Sequence, residues 1–397
     1  MDISIPAGFQ WSAVHCGIKQ DASVDDYVLV RCLPQTVAAG VYTRNRVFAA
    51  PVAWDRSRTP AGDIRVVVVN SGNANACTGD QGWQDVQAMA LSAAEACDAG
   101  AEQALVMSTG IIGEFLPMQK ILPAARQAAA CLADDEVAFM AAARGILTTD
   151  QGPKVSSTTL DMDGQTICLA GMAKGAGMIG PDMATMLAMV MTDAALEPAA
   201  AQAILSQAIE RSFNCISVEG HTSTNDTVLL LASGAHGQQP LSGAALEEFA
   251  RALDAVCVEL AKQIPADGEG ASHLITIDVQ GAASREDARQ IAQTIANSNL
   301  VKAGVAGADP NWGRIISAVG YAGVEIDPDR VRVAINGFDL YQDGAPVPFD
   351  VAEVSSSIAG NTETSIVVAI GNGEAAARFW TSDLTADYVR FNSEFHT

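Results

Sequence analysis

The stretch Lys174-Gly-Ala-Gly-Met-Ile-Gly-Pro-Asp-Met-Ala-Thr185 is followed at once by the apolar run Met186-Leu-Ala-Met-Val-Met191. Its first part is rich in glycine, which allows backbone conformations that other residues rarely adopt, including strained ones beside a reactive bond. The apolar run has the length of a buried strand and ends at Thr192 and Asp193. A threonine therefore stands at the start of a predicted strand, directly behind a glycine-rich loop.

Thr185 has two interpretations. In the simpler one, it is only the first residue of a strand after a turn, and spacing alone favours this. In the other, its hydroxyl attacks the carbonyl of Ala184, and hydrolysis of the ester leaves a free α-amine beside the hydroxyl. An α-amine has an ordinary pKa of roughly 7.7–8.0, so near neutral pH it can act as the general base for that hydroxyl.

Length and composition indicate a compact globular enzyme. The chain has 397 residues, of which 49% are hydrophobic and 17% charged, enough for two or three domains and a large core. The net charge of −23 argues against nucleic acids and anionic membranes as partners, because both require a basic surface. The acidic residues are spread along the chain, which is typical of a solvated surface.

Several absences favour a cytoplasmic protein. The N-terminus has no basic segment or apolar core of a signal peptide, and no apolar run approaches the roughly 18 residues needed to span a membrane. The five histidines are scattered, and we expect neither a metal nor another cofactor. The cysteines lie far apart without a CxxC pair, so we expect reduced, buried thiols at Cys16, Cys32, Cys77, Cys97, Cys131, Cys168, Cys215 and Cys257.

Hydrophobic periodicity predicts a mixture of strands and helices without a strict βαβ rhythm, which favours a layered α+β fold. Strands are predicted at 27–32, 36–42, 46–52, 64–69, 103–110, 186–191, 227–232, 274–279, 331–335 and 365–370, with a hairpin over 157–170. Helices are predicted at 85–97, 120–132, 136–146, 197–212, 243–263 and 286–296.

Further motifs accompany the central stretch along the chain. They are Asn70-Ser-Gly-Asn-Ala-Asn-Ala-Cys77, Ser108-Thr-Gly-Ile-Ile-Gly113, Thr148-Thr-Asp150, Thr222-Ser-Thr-Asn-Asp226, Gly268-Glu-Gly-Ala271, Asp309-Pro-Asn-Trp-Gly-Arg314 and Asn392 with Thr397. In this order, and over essentially the whole chain, the set resembles the ornithine acetyltransferase (glutamate N-acetyltransferase) family of arginine biosynthesis. The resemblance implies an α-β-β-α arrangement similar to that of N-terminal-nucleophile hydrolases, with a topology of its own.

The resemblance also implies functional roles. Cleavage between Ala184 and Thr185 would give an α chain of residues 1–184 and a β chain of residues 185–397, which includes a C-terminal α/β domain. Thr185 would be the nucleophile, and the Thr109 side chain and Gly110 N–H would form an oxyanion hole. The substrate-binding positions implied by the family are Thr148, Lys174, Thr185, Glu269, Asn392 and Thr397. A lysine suits a substrate α-carboxylate, and a glutamate can pair with a substrate amine.

The implied reaction is ping-pong acetyl transfer from N2-acetylornithine to glutamate through acetyl-Thr185, without a cofactor. Use of acetyl-CoA stays open, because only some members of the family acetylate glutamate from it. The resemblance further implies that the α and β chains associate and that two αβ units pair.

Three departures from the family pattern bear on substrate preference. Ser272-His273 stands where Thr-Lys is usual, Gly220-His221 where Gly-Asp is common, and Cys215 where arginine is frequent. We expect self-cleavage to survive them. For the Asp309–Arg314 motif we favour a structural role, with Trp312 packed and Arg314 paired with Asp309, over contact with substrate.

Two rival functions remain at this point. The first is a threonine-nucleophile amidase or aminopeptidase that transfers its acyl group to water. The second is an uncleaved amino-acid-binding or scaffold protein.

Overall fold

The computed structural model describes residues 3–162, 164–180, 186–237 and 239–394. The strands are β1 Phe9–Val14, β2 Tyr27–Tyr42, β3 Ala61–Asn73, β4 Ala104–Ile111, β5 Lys154–Met162, β6 Gln165–Lys174, β7 Leu187–Thr192, β8 Ile216–Ser217, β9 Thr227–Ala232, β10 Leu274–Ala282, β11 Arg332–Ile335, β12 Phe338–Gln342, β13 Ala345–Pro346, β14 Glu363–Ala369 and β15 Ala375–Ser382. The α-helices are α1 Ala50–Arg56, α2 Gly79–Ala96, α3 Met118–Ala130, α4 Glu136–Gly145, α5 Pro198–Arg211, α6 Gly243–Ala266, α7 Arg285–Ala296, α8 Asn299–Ala306, α9 Trp312–Gly320, α10 Val351–Ala359 and α11 Ala386–Glu394.

The first sheet has the strand order β4-β3-β2-β9-β7-β6-β5, with β1 beside β2. The long strand β2 joins its two halves: residues Tyr27 to Arg31 pair with β3, and Val37 to Tyr42 pair with β9. Between these two parts the register with β3 shifts, and Gln35 has a φ of 65°. The two strands predicted at 27–32 and 36–42 are therefore one continuous strand, which is irregular in its middle.

The two halves of this sheet fold over one another. In a flat sheet, five steps of about 4.8 Å would separate β4 from β6. Instead, Nζ of Lys174 at the end of β6 lies 3.3 Å from Oγ1 of Thr109 near the end of β4. Apolar side chains of both halves form one core, which includes Val67, Leu105 and Met189.

Helices cover the outer face of each half. Because side chains alternate along a strand, Val66 and Val68 point away from that shared core and pack on α2 and α3. On the other half, Val190 and Leu230 pack on α5 and α6. The layers are thus helix, sheet, sheet, helix, and the predicted layered α+β fold is confirmed.

A second sheet follows in the last part of the chain. Its strand order is β13-β12-β11-β14-β10-β15-β8, with β10 parallel to β14 and antiparallel to β15. Its apolar residues, among them Ile277 and Val368, join the core that α5 and α6 form with the first sheet. Among the described residues, no helix is long and apolar enough to cross a bilayer.

Two local predictions were wrong. Residues 46–52 were predicted as a strand, but Ala50–Arg56 is a helix with Pro51 in its first turn, where a missing N–H costs nothing. Its Trp54 is buried and donates to the Ala104 carbonyl oxygen (2.9 Å). The second wrong prediction paired Arg314 with Asp309. Arg314 instead donates to the Leu300 carbonyl oxygen (2.7 Å).

Apart from this ion pair, the Asp309–Arg314 motif has the structural role that we favoured. Trp312 begins α9 and stacks on Tyr341, with ring centroids 5.1 Å apart. The side chain of Asn311 caps the same helix by accepting the N–H of Arg314. The motif therefore fixes a helix of the second sheet layer.

Candidate active site

A cavity of about 110 Å³ lies where strand ends from both halves of the first sheet meet. The C-terminal ends of β4 and β6 contribute to it, together with the loop before β9 and a turn before β10. Its lining residues are Ala74, Thr109, Gly110, Ile112, Thr148, Thr149, Lys174, Gly177, Met178, Ser223, Thr224, Asn225, Glu269 and Asn392.

One wall of the cavity is the end of β4. This strand runs parallel to β3, so that Thr109 lies beside Ser71 and Gly110 beside Gly72. Gly110 has a φ of 135°, and a Cβ added to it would lie 2.2 Å from the carbonyl carbon of Gly72. Only glycine fits there, and the Thr109 side chain is held in a buried position at the same strand end.

Lys174 lies opposite, at the end of β6, and its side chain is buried. Its ammonium donates to Oγ1 of Thr109 (3.3 Å), so the Thr109 hydroxyl proton remains available for another acceptor. Burial lowers the pKa of Lys174, while the carboxylates of Asp150 and Glu269 oppose that shift. The cavity therefore contains a desolvated cation next to a hydroxyl donor.

Asp150 anchors the start of the glycine-rich loop. Its carboxylate accepts hydrogen bonds from Nζ of Lys154 (2.7 Å), the N–H of Gly175 (2.6 Å) and the N–H of Thr148 (3.1 Å). Burial alone would raise its pKa, but Lys174 and Lys154 outweigh that effect and lower it to about 2. Asp150 is thus a permanent anion that fixes the loop on the Lys174 side of the cavity.

Glu269 supplies the second charge that lines the cavity. Its carboxylate accepts from the Thr149 hydroxyl (2.7 Å) and from Nδ2 of Asn392 (3.1 Å). Its backbone N–H donates to the Ala176 carbonyl oxygen (2.9 Å), which ties this turn to the glycine-rich loop. Asn392 belongs to α11, so the C-terminal helix reaches the cavity.

A substitution at Gly177 can test how strongly the site depends on the position of the Glu269 carboxyl group. A Cβ there would lie 2.4 Å from the Glu269 carboxyl group, and that flexible side chain can move aside. The resemblance implies that Glu269 pairs with a substrate amine. On that expectation, Gly177→Ala should leave the melting temperature nearly unchanged but raise the KM for that substrate about tenfold, because a charge-assisted contact would be lost. Steady-state kinetics beside thermal unfolding measure both, with Gly152→Ala, where a Cβ meets nothing within 4 Å, as the control. An unchanged KM would contradict this.

The structure brings most of the predicted site residues together. Thr109, Gly110, Thr148, Lys174, Glu269 and Asn392 all line the cavity. Ala184, Thr185 and Thr397 lie outside the described residues. Two larger, open depressions of about 610 and 570 Å³ lie around Leu33 and Pro34, and no predicted site residue is among their described lining residues.

The model of the ArgJ family matches residues 10–397 of this sequence. The chain belongs to the ArgJ family. Among curated proteins named "Arginine biosynthesis bifunctional protein ArgJ", that of Rhodopirellula baltica is 46% identical over 99% of this chain and 96% of its own length. That of Symbiobacterium thermophilum is 45% identical over 100% and 98%. The crystal structure of the Bacillus halodurans protein argJ is 38% identical, with a TM-score of 0.51, over 52% of this chain and 98% of that chain.

The family predicted from the motifs is thereby confirmed, and the residues that depart from its usual pattern can be placed. Nδ1 of His273 lies 3.2 Å from Oδ2 of Asp383, and its Nε2 faces the Ile358 carbonyl oxygen. His221 is mostly exposed and lies near Glu219, and Cys215 is buried in the core. None of the three is among the described residues that line the cavity.

Sequence reasoning assigned no role to the loop that ends at Asp226, although it noted the motif. Asn225 is buried and donates to the carbonyl oxygens of Ala74 (2.6 Å) and Ser108 (2.8 Å). It therefore joins the two halves of the folded sheet at the cavity. The only signal in the sequence was a cluster of polar residues directly before an apolar strand.

No group of His, Cys, Asp or Glu side chains suited to a metal ion occurs among the residues that the structure describes. Of the eight cysteines, Cys32, Cys97, Cys168, Cys215 and Cys257 are buried, Cys16 is partly buried, and Cys77 and Cys131 are exposed. The prediction that all eight are buried was therefore wrong for three of them, which lie in loops or at a helix end outside the sheets.

Proposed function

We propose that the chain cuts itself between Ala184 and Thr185 and then transfers an acetyl group from N2-acetylornithine to glutamate through Thr185. The acetyltransferase role in arginine biosynthesis is confirmed by membership of the ArgJ family, whose curated relatives are named as bifunctional proteins of that pathway. The assignment of roles to individual residues is our proposal.

The observation that carries it is the meeting of Lys174 and Thr109. These residues are 65 positions apart in sequence, yet their side chains touch inside one cavity. Leu187, the first residue of β7, is the register partner of Lys174. A nucleophile at the N-terminal end of β7 would therefore lie beside a hydroxyl donor and an ammonium group.

In the first half-reaction, the free α-amine of Thr185 takes the hydroxyl proton as Oγ1 attacks the acetyl carbonyl of N2-acetylornithine. The Thr109 hydroxyl and the Gly110 N–H donate to the oxyanion that forms. The C–N bond then breaks, the proton passes to the departing amine, and ornithine leaves an acetyl ester on Thr185. The second half-reaction reverses these steps with the amine of glutamate as the attacking group.

Substrate recognition follows from the charges in the cavity. Both substrates carry an α-carboxylate, which the Lys174 ammonium can pair with. Glu269, which accepts hydrogen bonds from Thr149 and Asn392, can pair with an amine. Thr148 adds a neutral polar group, and Thr397 completes the proposed set.

The solved relative agrees with a cut near the middle of the chain. The Bacillus halodurans chain is covered over 98% of its length by only 52% of this chain, so it is roughly half as long. Curated relatives such as that of Rhodopirellula baltica match over 96% or more of a full-length chain. Half-length and full-length relatives are what self-cleavage near residue 185 would produce.

Acetyl transfer can be tested with purified protein and N2-acetylornithine labelled in the acetyl group. We expect label in N-acetylglutamate, at a rate that depends on glutamate, with ornithine formed in equal amount. Label in free acetate, whether or not glutamate is present, would instead identify the hydrolase alternative. Label that stays in N2-acetylornithine would contradict both enzymatic functions.

Three further properties belong to the same proposal. We place the protein in the cytoplasm, because cysteines that lie far apart in sequence without a CxxC pair suit a reducing compartment. We propose that the α and β chains stay together after the cut, since β6 and β7 pair across it, and that two such units associate. Acetylation of glutamate from acetyl-CoA is a second activity that we propose, and the same assay detects it when acetyl-labelled acetyl-CoA replaces N2-acetylornithine.

A further inference from the structure

Asp226 lies at the end of β9 that faces the proposed cut. Strands β7 and β9 are parallel, with Leu187 beside Thr227, so Asp226 is level with Met186. The N–H of Thr227 donates to the Met186 carbonyl oxygen (3.2 Å). In the sequence, Thr185 directly precedes Met186.

The two carboxyl oxygens of Asp226 have different surroundings. Oδ1 accepts the N–H of Met186 (3.1 Å). Oδ2 is buried and has no hydrogen-bond partner among the described residues. Thr43 lies nearby, but its hydroxyl donates to the Ser223 carbonyl oxygen (2.8 Å). A buried polar atom without a hydrogen-bond partner destabilises the fold, so we expect Oδ2 to bond to a group outside the described residues.

Asp226 is fully buried, and burial raises its pKa to about 8. The groups that face it oppose this only in part: the N–H of Met186, the Thr43 side chain, the ammonium of Lys174 on β6 and the backbone of Ser223. The carboxyl group is consequently neutral in a large share of molecules at pH 7, and a neutral carboxyl group can donate a proton.

We propose that Asp226 is the proton donor to the backbone nitrogen of Thr185 during self-cleavage. This inference rests on the proposed cleavage at Thr185. Oδ1 fixes the start of β7, and Oδ2 is the oxygen that carries the proton. The same residue afterwards holds the newly formed α-amine in place for acetyl transfer.

The step balances without an added reagent. Oγ1 of Thr185 forms a bond to the carbonyl carbon of Ala184, and the bond from that carbon to the Thr185 nitrogen breaks. An amide nitrogen leaves readily only as an amine, so it takes the proton of Asp226. As Asp226 gives up its proton, the Thr185 hydroxyl passes its own proton to the resulting carboxylate, so Asp226 ends the step protonated, and water then hydrolyses the ester.

Cleavage of freshly synthesised chain tests the inference. The chain is made by pulse-labelled cell-free translation, and the uncut fraction is followed by denaturing gel for wild type, Asp226→Asn and Asp193→Asn. Asparagine keeps an acceptor for the Met186 N–H but has no acidic proton. Asp193 is the matched control: it is buried, accepts the N–H of Cys168 (2.8 Å), and follows the far end of β7.

We expect Asp226→Asn to cut about 10²–10⁴-fold more slowly than wild type, and Asp193→Asn to cut at nearly the wild-type rate. The ratio of the wild-type to the Asp226→Asn rate should fall as the pH rises through about 8, because the wild-type carboxyl group loses its proton there. Asp226→Glu, which restores an acidic proton, should recover part of the rate.

Other outcomes overturn the inference in distinguishable ways. Equal cutting of wild type and Asp226→Asn would overturn it and leave the proposed function intact. A slow Asp226→Asn with a rate ratio independent of pH would assign Asp226 a purely structural role. If Asp226→Asn fails to fold, the pH dependence of the wild-type cutting rate is the test by itself. A wild-type cutting rate that stays constant above pH 8 would overturn the inference. Wild-type chain that stays uncut would overturn the proposed function as well.

Discussion

Freshly purified wild-type protein is expected to separate under denaturing conditions into two chains that meet at Ala184/Thr185, whereas Thr185→Ala should remain one chain. Removing the hydroxyl removes the group that we propose attacks the Ala184 carbonyl and later accepts the acetyl. Loss of a nucleophile typically costs about 10³-fold or more in rate, so acetyl transfer should fall to background. Intact mass measurement gives the cut position, and labelled acetyl transfer gives the rate.

Thr185→Ser is the matched control for this prediction. Serine keeps the hydroxyl and loses only a methyl group, so it should still cut and transfer, at a reduced rate. A cut Thr185→Ala chain would show that another residue or a protease is responsible. An uncut wild-type chain that nevertheless transfers acetyl would separate the two roles that we give to Thr185.

Much of the fold could be predicted because single strands have clear local patterns. The run Val66 to Val69 is apolar throughout and was predicted as a buried strand. The structure gives the reason, since Val67 faces the core between the sheet halves while Val66 and Val68 face helices. Continuous burial on both faces is typical of strands in such layered folds.

The folding of the first sheet over itself could not be predicted. The first part of β2 pairs with β3, the next strand in the chain, whereas the second part pairs both with β3 and with β9, which begins 185 positions after Tyr42. Nothing local in residues 33–36 reveals which partners the two parts will choose. The site depends on that choice, because it brings Thr109 to Lys174.

The candidate site was predicted largely from family motifs, and the structure explains what motifs alone left out. Asp226 is the clearest case. In sequence it is one more polar residue before a strand, where Asp is common in turns. The role that we propose for it rests on complete burial beside Met186, which is a property of β7 and β9 together. Glu269, by contrast, was identified because it lies within a distinctive glycine-rich motif.

Gly110→Ala should have the second largest effect. The added Cβ would lie 2.2 Å from the carbonyl carbon of Gly72, which is backbone and cannot move aside as a flexible side chain can. The end of β4 must therefore shift, and the Gly110 N–H shifts with it. Losing one oxyanion donor costs about 10²–10³-fold in kcat, and we expect a loss of at least that size. The melting temperature should fall too.

Gly113→Ala is the control for backbone conformation, because Gly113 has a φ of 85° and a Cβ there meets nothing within 4 Å. It should retain most of the transfer rate. Thr109→Val removes the other proposed oxyanion donor and keeps nearly the same side-chain shape, so it should lower kcat by about 10²-fold while KM changes little. If Thr109→Val transfers acetyl at the wild-type rate, the loss in Gly110→Ala would reflect the backbone clash alone, and the oxyanion would have to be bound elsewhere.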